Sequence, residues 1–506
     1  MDISRAVGIT EATSAWQDRC TAFNSTFTTD GLTSISAEYL SAGSIVPVPE
    51  VCGPLFAVID NQVTTPTDLC YVVLNINTTR SSTTRLEFWL PNDWNSRIFA
   101  TGTGGLSGCV DFPGLNWGTS LGFAAVGTNA GHDGPSAKSF YQAPEVFTDY
   151  NWRAIHVEAV VSKAVMAAYY EHSASHSYFN ACSVGGRQAF HAAENFPDDF
   201  DGIIACAPAV NMVNAFGWFG LAAQPFLTGK PGEMKPADWA VLHKETLRQC
   251  DALDGKIDNT IAHPEECNFD PTKLICSKRR PAPDCLNAAQ VAGLKTLYSD
   301  IRDEKGQLVY PRFVVGAENG GAAQNLMRNT QEFFQYAVYD PTYDGKNFSV
   351  RDIEYARQIL PNETNTWTGD LTAFKQRGGK LIHVHGTEDS VLPTGISTLQ
   401  YEMTRQVTGA RDIDSWYAMY LVPGLNHCVN TNTVATGPWR FGQYGAIPEP
   451  RVASNSSEYN ALLAVVDWVE KGIEPKRLVG MTDQGETREV CRYPSQGRWV
   501  HDQWVC

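Results

Sequence analysis

A serine stands at the centre of Tyr178-Phe-Asn-Ala-Cys-Ser-Val-Gly-Gly-Arg187, where a short β-prone run gives way to a helix-prone one. Ala181 lies two residues before Ser183 and Gly185 two after it. Small residues at both positions permit a strained strand-to-helix turn that lifts the hydroxyl clear of a sheet, the steric logic of a nucleophile elbow. Ala181 occupies the place that the usual signature gives to Gly, and an N-capping serine in an ordinary turn would satisfy the same local pattern. A hydroxyl nucleophile needs a base, and the base needs an orienting acid, in chain order serine, acid, histidine. Lys380-Leu-Ile-His-Val-His-Gly-Thr-Glu-Asp389 supplies a buried strand, a Gly turn and then Asp389. Trp416-Tyr-Ala-Met-Tyr-Leu-Val-Pro-Gly-Leu-Asn-His427 supplies the next strand and a loop ending in His427. Ser183, Asp389 and His427 are the expected nucleophile, acid and base. Glu388 is a weaker acid candidate, and His383 and His385, inside the strand, are expected to be core or pocket-lining groups.

Cys182 precedes Ser183 and Cys428 follows His427, so contact between serine and histidine would bring the two cysteines within disulfide reach. Attack on an ester leaves a negative oxygen that preorganised backbone N–H groups stabilise best. One donor is expected from Val184, at a helix N-terminus. The other is expected from Thr101-Gly-Thr-Gly-Gly-Leu-Ser-Gly108, at Gly104 with Gly105 close behind. No Lys-Ser/Thr follows these glycines, which excludes a phosphate-cradling P-loop. A second motif, Cys250-Asp-Ala-Leu-Asp-Gly-Lys-Ile-Asp-Asn-Thr260, gathers three aspartates around a turn-forming Gly255. Such hard oxygen ligands suit Ca²⁺, although the loop lacks the alternation and distal Glu of an EF-hand.

These residues need a scaffold. Arg85–Leu90, Arg97–Thr101 and Gly122–Val126 read as strands, and Trp152–Tyr170 as an amphipathic helix with its apolar stripe at 157, 161, 164 and 168. Tyr178–Ala181 reads as a strand, Gly186–Asn195 as a helix and Gly202–Ala207 as a buried strand. The alternation stops at about residue 208 and resumes with strands Lys380–His385 and Trp416–Val422 and helix Ala461–Lys471. It predicts an α/β protein whose mostly parallel sheet is covered on both faces. Residues 1–207 and 376–506 would form one discontinuous catalytic domain. Residues 208–375 would form a lid inserted at a strand's C-terminal end, where open sheets keep their sites.

The composition narrows the class. The 506 residues include 39 Lys+Arg and 55 Asp+Glu, a net charge of −16, which argues against a basic nucleic-acid footprint. Hydrophobic residues at 43% and aromatics at 11% supply a core and exclude disorder. No apolar run reaches the roughly 18 residues of a membrane span. Thirteen cysteines without a C-x-x-C pair remove the usual signature of zinc ribbons and thioredoxin-type sites. With the sequons at Asn24, Asn77, Asn347, Asn362 and Asn455, they point to a secreted, extracellular glycoprotein. The start lacks an apolar signal core and reads as a mature form whose signal peptide has been removed.

Cys-Ser, Asp and His-Cys in this order resemble the signature of the tannase and feruloyl esterase family, secreted fungal and bacterial carboxylic ester hydrolases. The likeness spans nearly the whole chain, from the Thr101–Gly108 loop through the elbow and the insertion to the His-Cys end. It implies an α/β-hydrolase core, a triad of Ser183, Asp389 and His427 under the lid, and no organic cofactor. It implies a structural Ca²⁺ in the lid, with carboxylates from Asp251, Asp254 and Asp258 and main-chain carbonyls from Lys256 and Thr260. The pairs Cys20–Cys70 and Cys52–Cys109 rest on the resemblance alone. Cys250–Cys267, Cys276–Cys285 and Cys491–Cys506 complete the simplest pairing, with Cys206 left as a buried thiol. Lid aromatics such as Phe216, Trp218, Phe219, Phe333, Tyr339 and Trp367 suit a planar hydroxycinnamate or gallate, while most of them would fill the lid's core. The glycine loop looks closer to the fungal feruloyl branch, which implies release of ferulate, p-coumarate or caffeate from plant cell-wall polysaccharide or small phenolic esters. Tannase is the alternative. From another class, the chain could be an inactive secreted binding protein on the same scaffold. Neither nucleic acid nor membrane is an expected partner.

Overall fold

The computed structural model describes residues 3–53, 58–318, 322–361, 364, 367–428, 456–481 and 487–506. Among the described residues, nine strands form one sheet: β1 (Leu32–Leu40), β2 (Leu69–Asn77), β3 (Thr83–Pro91), β4 (Arg97–Thr101), β5 (Ala124–Thr128), β6 (His176–Cys182), β7 (Gly202–Cys206), β8 (Lys380–Gly386) and β9 (Tyr417–Val422). Their spatial order is β1-β2-β3-β5-β4-β6-β7-β8-β9. From β5 to β9 every neighbouring pair is parallel. At the other end β1, β2 and β3 pair antiparallel, as do β3 and β5. Parallel strands are covered on both faces and so read as apolar runs, which is why β6 to β9 are legible from sequence. β1 and β2 were not among the expected strands. β1 is a sheet edge, and its exposed Ser, Thr and Glu dilute the apolar signal.

Helices that flank the sheet and the site include α1 (Phe112–Ser120), α2 (Ala154–Tyr170), α3 (Val184–Asn195), α4 (Gly395–Thr408) and α5 (Ala461–Lys471). The limits of α5 follow from its caps. The Asn460 side chain accepts the Leu462 and Leu463 N–H groups, and Gly472 closes the other end in the left-handed region. The expected stripe on α2 is a correction. Ala164 and Ala168 are exposed, and the buried face runs through Ile155, Glu158, Ser162, Val165, Met166 and Tyr169. Two polar residues inside the core-facing stripe disguised its phase.

β7 and β8 are parallel neighbours in register from Gly202↔Lys380 to Cys206↔Val384. Among the described residues, the chain between them adds no strand to the central sheet. Its aromatics pack on one another: Phe216 stacks on Phe333 with centroids 4.7 Å apart, and Trp218 on Phe313 at 6.1 Å. The C-terminal stretch, grouped by sequence with the catalytic domain, also folds onto this insertion. Arg498 Nη1 donates to Leu253 O at 2.7 Å, and the His263 Nε2 and Gly497 O atoms are 2.7 Å apart.

Six disulfides join Cys20–Cys70, Cys52–Cys109, Cys182–Cys428, Cys250–Cys267, Cys276–Cys285 and Cys491–Cys506. Cys206 is buried and lies outside all six. Of the sequon asparagines, Asn24, Asn77 and Asn347 are exposed, while Asn362 and Asn455 fall outside the described residues. Among the described residues, no helix is long and apolar enough to cross a membrane.

Candidate active site

Ser183 joins β6 to α3 with φ 63° and ψ −123°. A non-glycine residue held there stores about 1–3 kcal/mol of strain, which the surroundings must over-determine. They do: Ser183 N donates to Cys206 O at 3.0 Å, and Ser183 O accepts from Ala209 N at 2.9 Å. The need for small neighbours is direct. A Cβ on Gly185 would lie 2.4 Å from Thr103 O and 2.7 Å from the Ala181 Cβ.

The three expected residues come together. His427 Nε2 is 2.9 Å from Ser183 Oγ, and His427 Nδ1 is 2.7 Å from Asp389 Oδ2. The other carboxylate oxygen of Asp389 accepts the Val391 and Leu392 N–H groups, each at 2.8 Å. Burial alone would push this carboxyl up. The neighbouring His427, with hydrogen bonds from His385 and His427, overcomes burial and holds it well below the usual carboxylate range. Glu388 instead sits in the field of the Arg488 guanidinium.

One positioning residue, Asn426, escaped the sequence reading, and the Gly386 turn that it named proves to have a steric role. The Asn426 side chain accepts the His427 N–H at 2.7 Å and the Ser390 N–H at 3.1 Å, clamping the histidine loop to the acid loop. A Cβ on Gly386 would fall 1.9 Å from Leu425 O, so only glycine lets these loops touch. A His-adjacent Asn and a Gly ending a strand were the available signals.

The Cys182–Cys428 bond, with Cα atoms 5.8 Å apart, flanks both Ser183 and His427. Replacing both cysteines with alanine should lower turnover by about 10- to 100-fold, because a shift of about 1 Å at reacting groups is that costly. Turnover measured well below the melting temperature checks this: normal values there would reduce the bond to a stability element.

Val184 opens α3, so its N–H is among the helix's unpaired first donors. The glycine loop crosses over the elbow and is fixed there. Thr103 N donates to Gln188 Oε1 at 3.2 Å, and Gly104 O accepts from Ser107 Oγ at 2.7 Å. Among the described residues, neither the Gly104 nor the Gly105 N–H is spent on a protein acceptor.

The acidic loop, residues 250–260, belongs to the stretch between β7 and β8. Asp251 accepts the Asp258 and Asn259 N–H groups at 3.2 and 3.0 Å, and Asp254 Oδ1 accepts the Lys256 N–H at 2.9 Å. Among the described residues, the His, Cys, Asp and Glu side chains form no closed array of three or more around a metal position. What the loop offers is two buried oxygens, Asp254 Oδ2 and Asp258 Oδ1, without a hydrogen bond. Burial first, and then Asp258, pushes the Asp254 carboxyl up. Arg488 Nη2 is 3.8 Å from Asp254 Oδ2. Paired, desolvated carboxylates with open lone pairs fit a hard cation.

A parallel sheet carrying an elbow serine, with histidine and aspartate hydrogen-bonded in line behind it, is the arrangement of an α/β ester hydrolase. The family model described as "Tannase and feruloyl esterase" matches residues 70–505. "Probable feruloyl esterase B-2" of Aspergillus flavus is 36% identical over 458 residues, 88% of this chain and 85% of that one. "Feruloyl esterase B" of Aspergillus niger is 33% identical over 516 residues, 98% of this chain and 96% of that one. The crystal structure of feruloyl esterase B from Aspergillus oryzae superposes with a TM-score of 0.89 at 30% identity, covering 97% of this chain and 100% of that chain. The chain belongs to the tannase and feruloyl esterase family and is a carboxylic ester hydrolase.

Proposed function

We propose that the protein is a secreted feruloyl esterase with an α/β-hydrolase core, residues 1–207 and 376–506, and an inserted lid, residues 208–375. It would release ferulate, p-coumarate or caffeate from esters of plant cell-wall polysaccharides such as xylan. The observation that carries the reading is the unbroken line Ser183–His427–Asp389. Ser183 Oγ attacks the ester carbonyl while His427 Nε2 takes its proton, and Asp389 holds the imidazole and offsets its charge. The Val184 and Gly104 N–H groups receive the oxyanion. The intermediate collapses to an acyl-Ser183 as the alcohol leaves with the proton from His427. Water, deprotonated by His427, then attacks the acyl group and frees the acid. Six disulfides support an oxidising compartment. In that compartment the exposed sequons would carry glycan.

Methyl ferulate against methyl gallate is the deciding assay. A higher kcat/KM on ferulate supports the reading, and a preference for gallate replaces it with a tannase.

A calcium ion would be held by the carboxylates of Asp251, Asp254 and Asp258 and the carbonyls of Lys256 and Thr260. Bound there, it supplies charge that offsets buried carboxylates and takes no part in ester chemistry. Chelation should therefore lower the melting temperature while leaving turnover in the cold nearly unchanged. An identical melting curve in metal-free protein would remove this role.

A further inference from the structure

A row of buried polar side chains continues where the serine–histidine–aspartate line stops. His385, near the end of β8, places Nε2 3.0 Å from Asp389 Oδ2 and 3.1 Å from Leu392 O. Its Nδ1 lies 2.6 Å from Ser397 Oγ on α4. The same hydroxyl is 2.7 Å from His383 Nε2, and His383 Nδ1 is 2.7 Å from the Tyr417 hydroxyl. His385, Ser397, His383 and Tyr417 are all fully buried. Alternate residues of a strand face one side, so the two histidines lie on one face of β8.

The protons in this row can be assigned. An ionised Asp389 and the Leu392 carbonyl only accept, so His385 carries its proton on Nε2. Its Nδ1 then accepts from the Ser397 hydroxyl, whose oxygen accepts from His383 Nε2–H. His383 Nδ1 accepts from the Tyr417 O–H. In this order the His383 ring is neutral, and every contact joins a donor to an acceptor. Burial, with His385 beside it, keeps His383 in that state. Phe190 packs edge-on to His383 at 5.2 Å, and Tyr417 stacks on it at 15°. The opposite proton order would aim the His385 Nε2 lone pair at the carboxylate.

We propose that His385 is the positioning residue of the catalytic acid. Its Nε2–H, locked in one tautomer through Ser397, His383 and Tyr417, fixes Asp389 Oδ2 for His427. The inference rests on the proposed roles of Ser183, His427 and Asp389. Two loop N–H groups hold one Asp389 oxygen; among the described residues, the other takes the Nδ1–H of His427, the ring that has to be oriented, and the Nε2–H of His385. His385 is therefore the donor that fixes that oxygen independently of the ring it has to orient. The titratable groups facing Asp389 are His427, His385 and, from the insertion, Tyr310.

Kinetics of His385 variants on a phenolic methyl ester test this. His385→Leu should lower kcat by about 10²-fold while KM stays within about twofold. The acid limb of kcat/KM should move to higher pH, because a carboxylate with one donor fewer holds the imidazolium more strongly. His385→Gln, which can return an N–H near the Nε2 position, should recover most of kcat. In an Asp389→Asn background, His385→Leu should cost less than about threefold more, since both act through one carboxylate. Equal losses for Leu and Gln, an unmoved acid limb and multiplicative losses in the double variant would each overturn the proposal. An Asp389→Asn variant that keeps more than about a tenth of its activity would sink the triad instead, whatever His385 does. Should His385→Leu not fold, Ser397→Ala frees the tautomer one step back. It should show about a tenfold loss with the same movement of the acid limb, and an unchanged kcat and limb would overturn the proposal.

Discussion

Ser183→Ala is expected to lower ester turnover by about 10⁴–10⁶-fold, the loss that follows when a nucleophile acting with its base is removed. The backbone geometry at Ser183 makes this a clean experiment. Ser183 sits at φ 63°, and alanine there carries the same strain as serine, so the elbow's stability should change little. The hydrogen bonds of Ser183 N and O to the sheet involve only backbone and survive. What disappears is the oxygen 2.9 Å from His427 Nε2. The Val184 and Gly104 N–H groups would remain, so a residual rate of about 10³–10⁴ over water is expected rather than none. Turnover of a chromogenic phenolic ester measures the loss, and near-ultraviolet circular dichroism reports the fold. More than about a tenth of the parent activity in a homogeneous Ser183→Ala sample would remove Ser183 as nucleophile.

Much of this site can be read from the chain because the chemistry constrains local sequence. The elbow demands small residues around Ser183, and clashes of 2.4 and 2.7 Å for a Gly185 Cβ show why. The strands before Ser183, Asp389 and His427 are doubly covered, so their apolar runs stand out. Cys182 and Cys428 are legible as a pair only because each neighbours a residue that must meet the other's neighbour. Features that depend on distant partners were not readable. Nothing local to Gly386 reveals that the carbonyl of Leu425 will press against it. Nothing local to His385 announces the carboxylate four residues on, because the acid loop has to fold back onto the strand end first. Arg488, which faces both Asp254 and Glu388 electrostatically, arrives from the C-terminal region. Helix α2 shows a second kind of limit: Glu158 and Ser162 occupy its buried face, so a search for apolar period alone selects the wrong side.

Asp389→Asn should reduce turnover by about 10⁴-fold, whereas Glu388→Gln should cost no more than about twofold. The difference follows from donors and acceptors. Asp389 receives four N–H groups: Val391 and Leu392 on one oxygen, His427 and His385 on the other. An asparagine has one accepting oxygen and one donating nitrogen. If its oxygen stays with the two loop N–H groups, its NH₂ points at His427 Nδ1–H and His385 Nε2–H. Two donors then face a donor. His427 escapes by moving its proton to Nε2, and in that tautomer it can no longer accept the Ser183 proton. If the amide turns over instead, its NH₂ confronts the Val391 and Leu392 N–H groups and the acid loop loosens. Either way the base is disarmed while the core stays packed. The same low-lying carboxyl gives a pH signature. Because Asp389 titrates below its unfolded-state value, its contribution to stability is fully present above the ordinary carboxylate range and is lost as pH falls through its folded value. The Asn variant should therefore lose stability relative to the parent near neutrality and converge with it in acid. Glu388, in the field of Arg488, takes no part in this arrangement. A Glu388→Gln enzyme slower than Asp389→Asn would mean that the acid has been misassigned.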